Sequence, residues 1–433
     1  VQVEGVVHPA WGRAQKAFEE NFAHNLELGA QLHITHEGNV VADLSGMSRR
    51  QEKSDQAAGR PAYNRDTLQN CYSSGKNMEA VCIAILVDRG LLAYDDLVAR
   101  HWPEFGRHGK DKVTVADVLR HEGGVPFFSD PDDMTDYKRD KKVTVSDIRE
   151  ITPLEQIVES SGYWDLTGER HYHACTRGWL LSGIIRRVDP KGRTLGQFLK
   201  DEISTPLGVD IYCGIPIADQ SKFNFADVQN MHPKYAILRY VLPAIAGVGD
   251  PALKGVIETY KKKSNPILMS FSGVGTWMKS KDDATWFNTV EGRKVEMPSA
   301  NIQSNARSLG KVAALMANNG AVGGTTLLSE NTIKLALSDN KLAYDGFLNA
   351  TYSFSKGGFS DFGDMNSITV NPEFSKIYSG FTGWCGLGGS LFLWNSERRV
   401  GFNYNMNGKS LLPICGPRGD RIMKAVQRIL RTI

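Results

Sequence analysis

A serine and a lysine three residues apart are the side chains in this sequence best suited to act together in a reaction. They lie in Cys71-Tyr72-Ser73-Ser74-Gly75-Lys76, which leads into a run with apolar residues at helical spacing: Met78, Val81, Cys82 and Ile85. Residues three apart share one face of a helix, so the Lys76 amine can reach the Ser73 hydroxyl. Burial disfavours a charged amine, and a neutral amine can accept the proton of a serine nucleophile. The pattern predicts Ser73 as a nucleophile and Lys76 as its base.

The same spacing of serine and lysine occurs at three other places, so the letters alone select nothing. These copies are Ser308-Leu309-Gly310-Lys311, Ser338-Asp339-Asn340-Lys341 and Ser353-Phe354-Ser355-Lys356. Only the copy at Ser73 opens a long apolar helix, which Gly90 is placed to end as a C-cap. A lysine buried at the start of such a helix can lose its charge, whereas we expect solvated positions for the other three copies.

Composition and charge narrow the class of protein. The chain has 433 residues, of which 41% are apolar and 9% aromatic, as in a soluble globular enzyme with two domains or one domain with an insertion. Its 51 basic and 48 acidic side chains are well mixed, which argues against a nucleic-acid partner. No apolar run is long enough to span a membrane. The sequence begins at Val1, so we expect that residues upstream were removed; a secreted and an organellar location both stay open.

The cysteines give no sign of a metal site. They form no C-x-x-C pair and no cluster with histidine at the spacing of metal ligands, so we predict neither a structural zinc nor another cofactor. An even number permits disulfides, although nothing in the spacing requires one. The six are Cys71, Cys82, Cys175, Cys213, Cys385 and Cys415.

Helical and strand patterns divide the chain into three parts. An amphipathic helix over residues 10–28 precedes a hairpin that turns at Glu37-Gly38-Asn39. Short helices broken by proline and glycine follow the Ser73 helix to about residue 265, and we expect long loops over residues 225–300. A helix from Ala306 to Met316, strands at 389–394 and 400–406, and a helix from Arg421 to Leu430 end the chain.

This order predicts a discontinuous domain with a helical insertion. Helices and hairpins at both ends indicate that the two ends complete one sheet. We therefore predict an α/β domain formed by residues 1–95 and 266–433, and a mainly helical insertion at residues 96–265. Within the insertion, Tyr172 lies just ahead of a second apolar helix. From the residues alone, Tyr172 could serve packing or catalysis, and that choice stays open.

With these elements placed, the chain resembles the beta-lactamase-related serine hydrolases. These include class C beta-lactamases, D-Ala-D-Ala carboxypeptidases, family VIII esterases and the mitochondrial beta-lactamase-like protein of animals. The landmarks, in the family's order, are Ser73-Ser74-Gly75-Lys76, the stretch from Leu86 to Phe105, the stretch from Val118 to Pro126, Tyr172, Pro206-Leu207-Gly208 and Gly386-Leu387-Gly388-Gly389-Ser390. The resemblance implies an α+β fold of the beta-lactamase/transpeptidase type, an antiparallel sheet flanked by helices with an inserted, mainly helical domain.

The resemblance also assigns a role to Tyr172. In the family, the tyrosine of a Y-x-N element faces the serine and the lysine and transfers protons, and this role carries over to Tyr172. The third position is Ala174 where penicillin-recognising members have asparagine, so the amide that helps to hold a beta-lactam is absent. Ser338-Asp339-Asn340 matches the S-D-N element of class A enzymes by letters only, and we interpret it as a polar turn.

A second departure concerns the strand that lines the site. The family's K-T-G or H-T-G element aligns with Trp384-Cys385-Gly386, or in an alternative register with Phe381-Thr382-Gly383. Both lack the cation that would bind a substrate carboxylate. Family VIII esterases similarly have W-x-G there. The resemblance places the oxyanion hole at the backbone N–H groups of Ser73 and Leu387, with Trp384 and Gly386 beside the substrate.

These features together predict a serine hydrolase that forms an acyl-enzyme on Ser73. Its substrate would be a small neutral ester or amide, with no metal or other cofactor. A weak or inactive scaffold that serves assembly stays open because of Ala174 and Trp384, and so does a peptidase or beta-lactamase proper. The sequence leaves the oligomeric state open, and a homo-oligomer is possible.

Overall fold

A nine-stranded antiparallel sheet is the centre of the fold. The computed structural model of the chain describes residues 2–128, 143–164, 170–231, 283–367, 373–410 and 416–433. Its strands are β1 (Gln2–Val7), β2 (Gly29–His36), β3 (Asn39–Met47), β4 (Gln69–Asn70), β5 (Ile211–Cys213), β6 (Gln229–Asn230), β7 (Ile302–Ser304), β8 (Ala321–Val322), β9 (Thr325–Thr326), β10 (Lys341–Asp345), β11 (Ala350–Phe354), β12 (Ser360–Ser367), β13 (Thr382–Cys385), β14 (Leu391–Asn395), β15 (Val400–Met406) and β16 (Gly408–Lys409). The order in the sheet is β1-β3-β2-β15-β14-β13-β12-β11-β10. Both ends of the chain therefore complete one sheet, as predicted.

Helices cover the sheet and fill the middle of the chain. They are α1 (Gly12–Ala23), α2 (Arg49–Ala57), α3 (Lys76–Asp88), α4 (Val98–His101), α5 (Val115–Leu119), α6 (Val145–Glu150), α7 (Thr152–Ser160), α8 (Thr176–Val188), α9 (Leu195–Leu199), α10 (Thr205–Leu207), α11 (Ile217–Gln220), α12 (Val290–Lys294), α13 (Ala306–Ala317), α14 (Glu330–Ala336), α15 (Phe374–Tyr378) and α16 (Pro417–Leu430). Single 3₁₀ turns occur at Pro9–Trp11, Tyr72–Gly75, Pro103–Gly106 and Asp283–Asn288, and a π turn at Lys200–Ser204. The combination confirms the predicted α+β class.

The two faces of the sheet carry different helices. Helices α1 and α16 pack on one face, where a Cβ added to Gly46 would lie 2.5 Å from the Phe22 ring. Helix α13 packs on the other face, where a Cβ at Gly401 would lie 2.6 Å from the backbone of Ala314. Glycine is required at both positions because the helix comes too close for a side chain. Asn405 shares the face of Gly401, and its amide contacts Cys71 at 3.3 Å, which places the Ser73 segment on the α13 side.

Helix α3 differs from its prediction in how much of it is buried. The sequence predicts one buried face, but every residue from Lys76 to Leu86 is buried. The reason is that α8, α9 and α14 all pack against α3, so it has no solvated side over this length. Gly90 lies just past its end with φ +67°, which confirms the predicted C-terminal glycine.

Other expectations are confirmed with shifted bounds. The predicted hairpin is the β2/β3 pair, and the two C-terminal strands are β14 and β15. Helix α16 begins at Pro417, one turn earlier than predicted, because proline suits the first turn of a helix. Of the loops expected over residues 225–300, residues 232–282 lie outside the described residues. The boundaries 1–95 with 266–433, and 96–265, stay a prediction.

Candidate active site

Ser73 lies in the 3₁₀ turn Tyr72–Gly75 that leads directly into α3. The turn is fixed from two sides: Cys71 N donates to the carbonyl of Ile302 in β7 at 2.8 Å, and Tyr72 N donates to Asn70 Oδ1 at 2.9 Å. Tyr72 has φ +47°, an unfavourable backbone conformation for a side chain of this size. Ser73 is therefore held on a constrained bend at the positive end of a buried helix, where negative charge on its oxygen is favoured.

Lys76 is buried and is hydrogen-bonded at every position around its amine. Its Nζ lies 3.3 Å from Ser73 Oγ, 2.7 Å from the carbonyl oxygen of Ala174 and 2.9 Å from that of Ser299. A neutral amine has two hydrogens and one lone pair. With both hydrogens on the two carbonyls, the lone pair is left for the Ser73 hydroxyl proton. The geometry therefore suits Lys76 as the base for Ser73.

The burial of Lys76 also favours its neutral form. Burial lowers the pKa of this amine to about 8; the neighbouring Glu79 carboxylate opposes the shift and the Arg177 guanidinium adds to it. An ordinary lysine has a pKa near 10.5, so far more of Lys76 is neutral at physiological pH. A base with a pKa close to the working pH is well suited to proton transfer.

Tyr172 faces Ser73 from the segment before α8. Its hydroxyl hydrogen-bonds with Ser73 and accepts a hydrogen bond from Trp384 Nε1 at 3.2 Å. The Lys76 amine lies 4.9 Å above the Tyr172 ring. Burial raises the pKa of Tyr172 above its ordinary value, so the phenol keeps its proton at neutral pH. Tyr172 can therefore donate a proton to a leaving group.

Two aromatic rings hold Tyr172 in place. The His121 ring packs against it at a tilt of 40° with ring centres 4.6 Å apart, and the Trp384 ring lies 5.9 Å away on β13. His121 has φ +64°, which the hydrogen bond from His173 N to its Nδ1 helps to maintain. His121 lies within the landmark stretch from Val118 to Pro126, and no role was predicted for it from the sequence. Its contact shows that it positions the predicted catalytic tyrosine.

The end of β13 lies directly against the serine turn. A Cβ on Gly386 would lie 2.3 Å from the Cys71 carbonyl oxygen, so glycine is needed for this close approach. The Ser390 hydroxyl bridges the two segments, with Ser74 Oγ at 2.6 Å and the Cys71 carbonyl at 2.9 Å. Trp384 points to Tyr172, which favours the Trp384-Cys385-Gly386 register over the alternative. Leu387 directly follows Gly386, and its part in an oxyanion hole stays a prediction.

A buried ion pair next to Lys76 was not predicted. Arg177 Nε and Glu79 Oε2 lie 3.0 Å apart without a linear hydrogen bond. The Ser299 hydroxyl donates to Glu79 Oε1 at 2.6 Å, and the carbonyl of the same residue accepts from Lys76. The sequence carries one sign of this pair, which is a charged residue inside each of two apolar helices. Glu79 lies one turn after Lys76 in α3, and Arg177 lies in the first turn of α8. Ser299 gives no such signal.

The part of the chain that the structure covers contains neither a cluster of metal ligands nor a membrane-spanning helix. Across its described ranges, no group of three or more His, Cys, Asp or Glu side chains is arranged to hold a metal ion. In the same ranges no helix is both long enough and apolar enough to cross a bilayer. Five cysteines are buried free thiols, namely Cys71, Cys82, Cys175, Cys213 and Cys385. Cys415 lies outside the described residues.

Comparisons with solved structures support the fold. A family VIII carboxylesterase superposes with a TM-score of 0.76 at 25% identity, covering 99% of this chain and all of that one. A penicillin-binding protein homologue from Caulobacter crescentus gives a TM-score of 0.73 at 27% identity, again covering 99% of this chain and all of that one.

Comparisons of sequence agree with the structural ones. The esterase/beta-lactamase LipL of Mycobacterium tuberculosis is 26% identical over 408 residues, which cover 93% of this chain and 82% of that protein. The sequence model of the family described as Beta-lactamase matches residues 18–414. With that match over most of its length, the chain belongs to the beta-lactamase family and is a serine hydrolase.

Proposed function

We propose that this protein is an esterase or amidase that works through an acyl-enzyme on Ser73 and acts on small neutral substrates. The observation that carries the proposal is the hydrogen bonding of Lys76. Its amine has two carbonyl acceptors and lies 3.3 Å from Ser73 Oγ, which leaves its lone pair for the serine proton. A hydroxyl activated in this way can attack an ester or amide carbonyl.

The proposed reaction has two halves that use the same groups. In the first, Ser73 Oγ attacks the carbonyl carbon and its proton passes to Lys76 Nζ. Tyr172 gives its own proton to the leaving oxygen or nitrogen and regains one from Lys76, so the alcohol or amine departs. In the second half, water attacks the acyl carbon and loses a proton along the same route. The bond to Ser73 Oγ then breaks, which releases the acid and restores the hydroxyl.

The tetrahedral intermediates need donors for their oxyanion. We assign these to the backbone N–H groups of Ser73 and Leu387, one on the serine turn and one just past β13. The close approach at Gly386 supports this assignment because it brings the two segments together. Such donors are usually worth several kcal/mol in the transition state, on the order of 3 kcal/mol each.

Two residues favour a neutral substrate. Trp384 occupies the place of the family's cation and turns its indole N–H to the Tyr172 hydroxyl, so it offers no charge to a substrate carboxylate. Ala174 contributes its backbone carbonyl to Lys76, and its methyl group cannot replace the missing amide. The similarity to a family VIII carboxylesterase supports an ester as the substrate.

Hydrolysis of a series of p-nitrophenyl esters and matched p-nitroanilides tests the proposal. We expect turnover by the wild type and a covalent acyl group on the peptide that contains Ser73, trapped by acid quench and detected by mass. The Ser73→Ala variant should show neither. Turnover that survives in Ser73→Ala would assign the reaction to another group. The acyl length with the highest kcat/KM would define the substrate class.

The same assays separate the two alternatives. A chromogenic cephalosporin hydrolysed as fast as the best ester would identify a beta-lactamase or peptidase, in spite of Ala174 and Trp384. Failure of the folded wild type to turn over any ester, amide or cephalosporin, combined with elution as large particles in sizing chromatography, would identify an assembly scaffold.

A further inference from the structure

The groups that face Lys76 include two buried charges that the mechanism above does not use. On its own helix, Lys76 faces Glu79. From α8 and the residue just before it, Lys76 faces Arg177 and Cys175. Three further titratable groups near it come from other segments, namely Tyr172, His121 and His173. Burial raises the pKa of Cys175 to about 12 and lowers that of His173 to about 3, and it lowers the pKa of His121 as well. These three groups and the Tyr172 phenol are therefore uncharged near neutral pH.

Glu79 and Arg177 are the two members of this group that form an ion pair. Ser299 Oγ accepts a hydrogen bond from Gly178 N at 2.8 Å, so its own hydrogen points to Glu79 Oε1 at 2.6 Å. The other carboxylate oxygen faces the guanidinium at 3.0 Å. Burial raises the pKa of Glu79, whereas the Arg177 guanidinium, the Lys76 amine and the Ser299 hydroxyl lower it, and the close ion pair favours its carboxylate form. Both side chains are at most 1% exposed, so water screens neither charge.

The two charges act on Lys76 in opposite directions. The carboxylate stabilises an ammonium at Lys76, and the guanidinium destabilises it. Arg177 also donates to the Lys76 carbonyl at 3.2 Å, and Glu79 holds Ser299, whose carbonyl accepts from the Lys76 amine. Hydrogen bonds therefore link the pair to the backbone of Lys76 directly and to its amine through Ser299.

We propose that Glu79 and Arg177 are a pair of positioning residues whose opposed charges partly offset each other at Lys76, so that this amine can act as the base. The inference rests on the proposed function, because it concerns the same base. Without Arg177, the unopposed carboxylate would keep Lys76 protonated at neutral pH. Without Glu79, the guanidinium would push Lys76 further toward the neutral amine, and Ser299 would lose the acceptor that fixes its orientation.

The pH dependence of kcat/KM for a p-nitrophenyl ester tests this pair. Because the base must be neutral, kcat/KM rises as pH increases through the pKa of Lys76, and in the wild type this rise is centred near pH 8. In Arg177→Gln the rise should move up by about one pH unit or more. In Glu79→Gln it should move down. In the double variant Glu79→Gln/Arg177→Gln the rise should lie between those of the two single variants.

Controls separate a charge effect from a structural one. Asp189→Asn breaks another buried ion pair, with Arg193 at 2.8 Å, and should leave the rise where it is. If Arg177→Gln does not fold, the position of the rise in Glu79→Gln and in the double variant still tests the proposal. Single variants that lose activity with the rise unmoved, or that move it in the same direction, would overturn the proposal.

A second readout keeps this inference distinct from the proposed function. The ε-carbon resonance of Lys76, assigned by its loss in Lys76→Met, titrates in labelled protein without any substrate. Opposite shifts of this titration in Glu79→Gln and Arg177→Gln support the pair even if no ester is turned over. Equal titration midpoints in all four proteins would contradict it even if the enzyme is active.

Discussion

Two helix starts in this molecule carry the same S-x-x-K letters and have different surroundings. At α3, Lys76 is buried with its amine 3.3 Å from Ser73 Oγ. At α13, Lys311 is only partly buried, and its amine donates to the carbonyl of Leu207 at 2.6 Å. The expectation of solvated positions is wrong for the serines Ser308 and Ser353, which are both buried. Ser308 accepts a hydrogen bond from Asp210 N at 3.0 Å. The second lysine is thus directed at a neighbouring loop, and the second serine serves the backbone.

The surroundings of each lysine, and not its spacing from the serine, therefore decide whether its amine can accept a proton. The two remaining copies agree, since Lys341 and Lys356 pair with the carboxylates of Glu122 and Asp95 at 2.7 and 2.8 Å. A carboxylate partner stabilises an ammonium, and an ammonium cannot accept a proton. Only Lys76 combines burial, two carbonyl acceptors and a serine hydroxyl.

The largest expected effect is the loss of the nucleophile. Ser73→Ala should lower kcat/KM for esters by at least about 10³-fold, because the other serine on the turn, Ser74, is buried with its hydroxyl bonded to Ser390. Ser308→Ala, the matched change at α13, should leave kcat/KM within about twofold, since its hydroxyl accepts a backbone hydrogen bond from Asp210 and takes no part in the proposed proton transfer. Similar losses in the two variants would break the distinction between the helix starts.

Removing the lysine should have the next largest effect. Lys76→Met keeps the length of the side chain and removes the base, so we expect kcat to fall by about 10² to 10⁴-fold. Lys311→Met loses one hydrogen bond to Leu207 and should keep its activity. Circular dichroism and thermal unfolding of both variants check that they fold. An active Lys76→Met enzyme would show that Ser73 obtains its base elsewhere.

Tyr172 is a further difference between the two helix starts, because the proposal assigns a catalytic tyrosine to Ser73 and none to Ser308. Tyr172→Phe keeps the packed ring and removes the hydroxyl, and we expect kcat to fall by about 10²-fold with a small change in KM. Trp384→Phe keeps an aromatic ring, removes the donor to that hydroxyl and some buried volume, and should cost about tenfold or less. Steady-state kinetics on one ester measure both. The reverse order of effects would make Trp384 the more important group.

Stability should show the smallest difference. Ser390→Ala removes the bridge between the serine turn and β13, which should cost about 1–3 kcal/mol because buried polar groups lose a partner. Asn305→Ala removes the side chain that caps α13 through Ser308 N at 2.8 Å, a change worth about 1 kcal/mol. Urea unfolding measures both values. An unchanged midpoint in Ser390→Ala would indicate that the two segments are held together by other contacts.

Local patterns predicted much of the fold. The β2/β3 hairpin, α13 and the β14/β15 pair have regular periodicity and turn residues, and each was predicted close to its observed bounds. Strand β1 was not predicted, because it lies at a sheet edge and is mostly exposed, which removes the apolar alternation.

The site was predictable where one segment carries the information. Ser73 and Lys76 are neighbours on one helix, and the resemblance supplied Tyr172 and Trp384. The ion pair of Glu79 with Arg177 depends on how α3 packs against α8, and Ser299 joins it from a residue far along the chain. No local sequence pattern specifies such contacts between distant segments. Charged residues inside apolar helices do indicate that a buried ion pair is present.

The most direct test of the central claim is peptide mapping after reaction with a fluorophosphonate probe. A hydroxyl activated by a neutral lysine should react with the phosphorus and give a covalent adduct on Ser73, faster at pH 9 than at pH 6, with Ser308 unmodified. An unlabelled, folded wild-type protein, or labelling of another serine that persists in Ser73→Ala, would contradict the account.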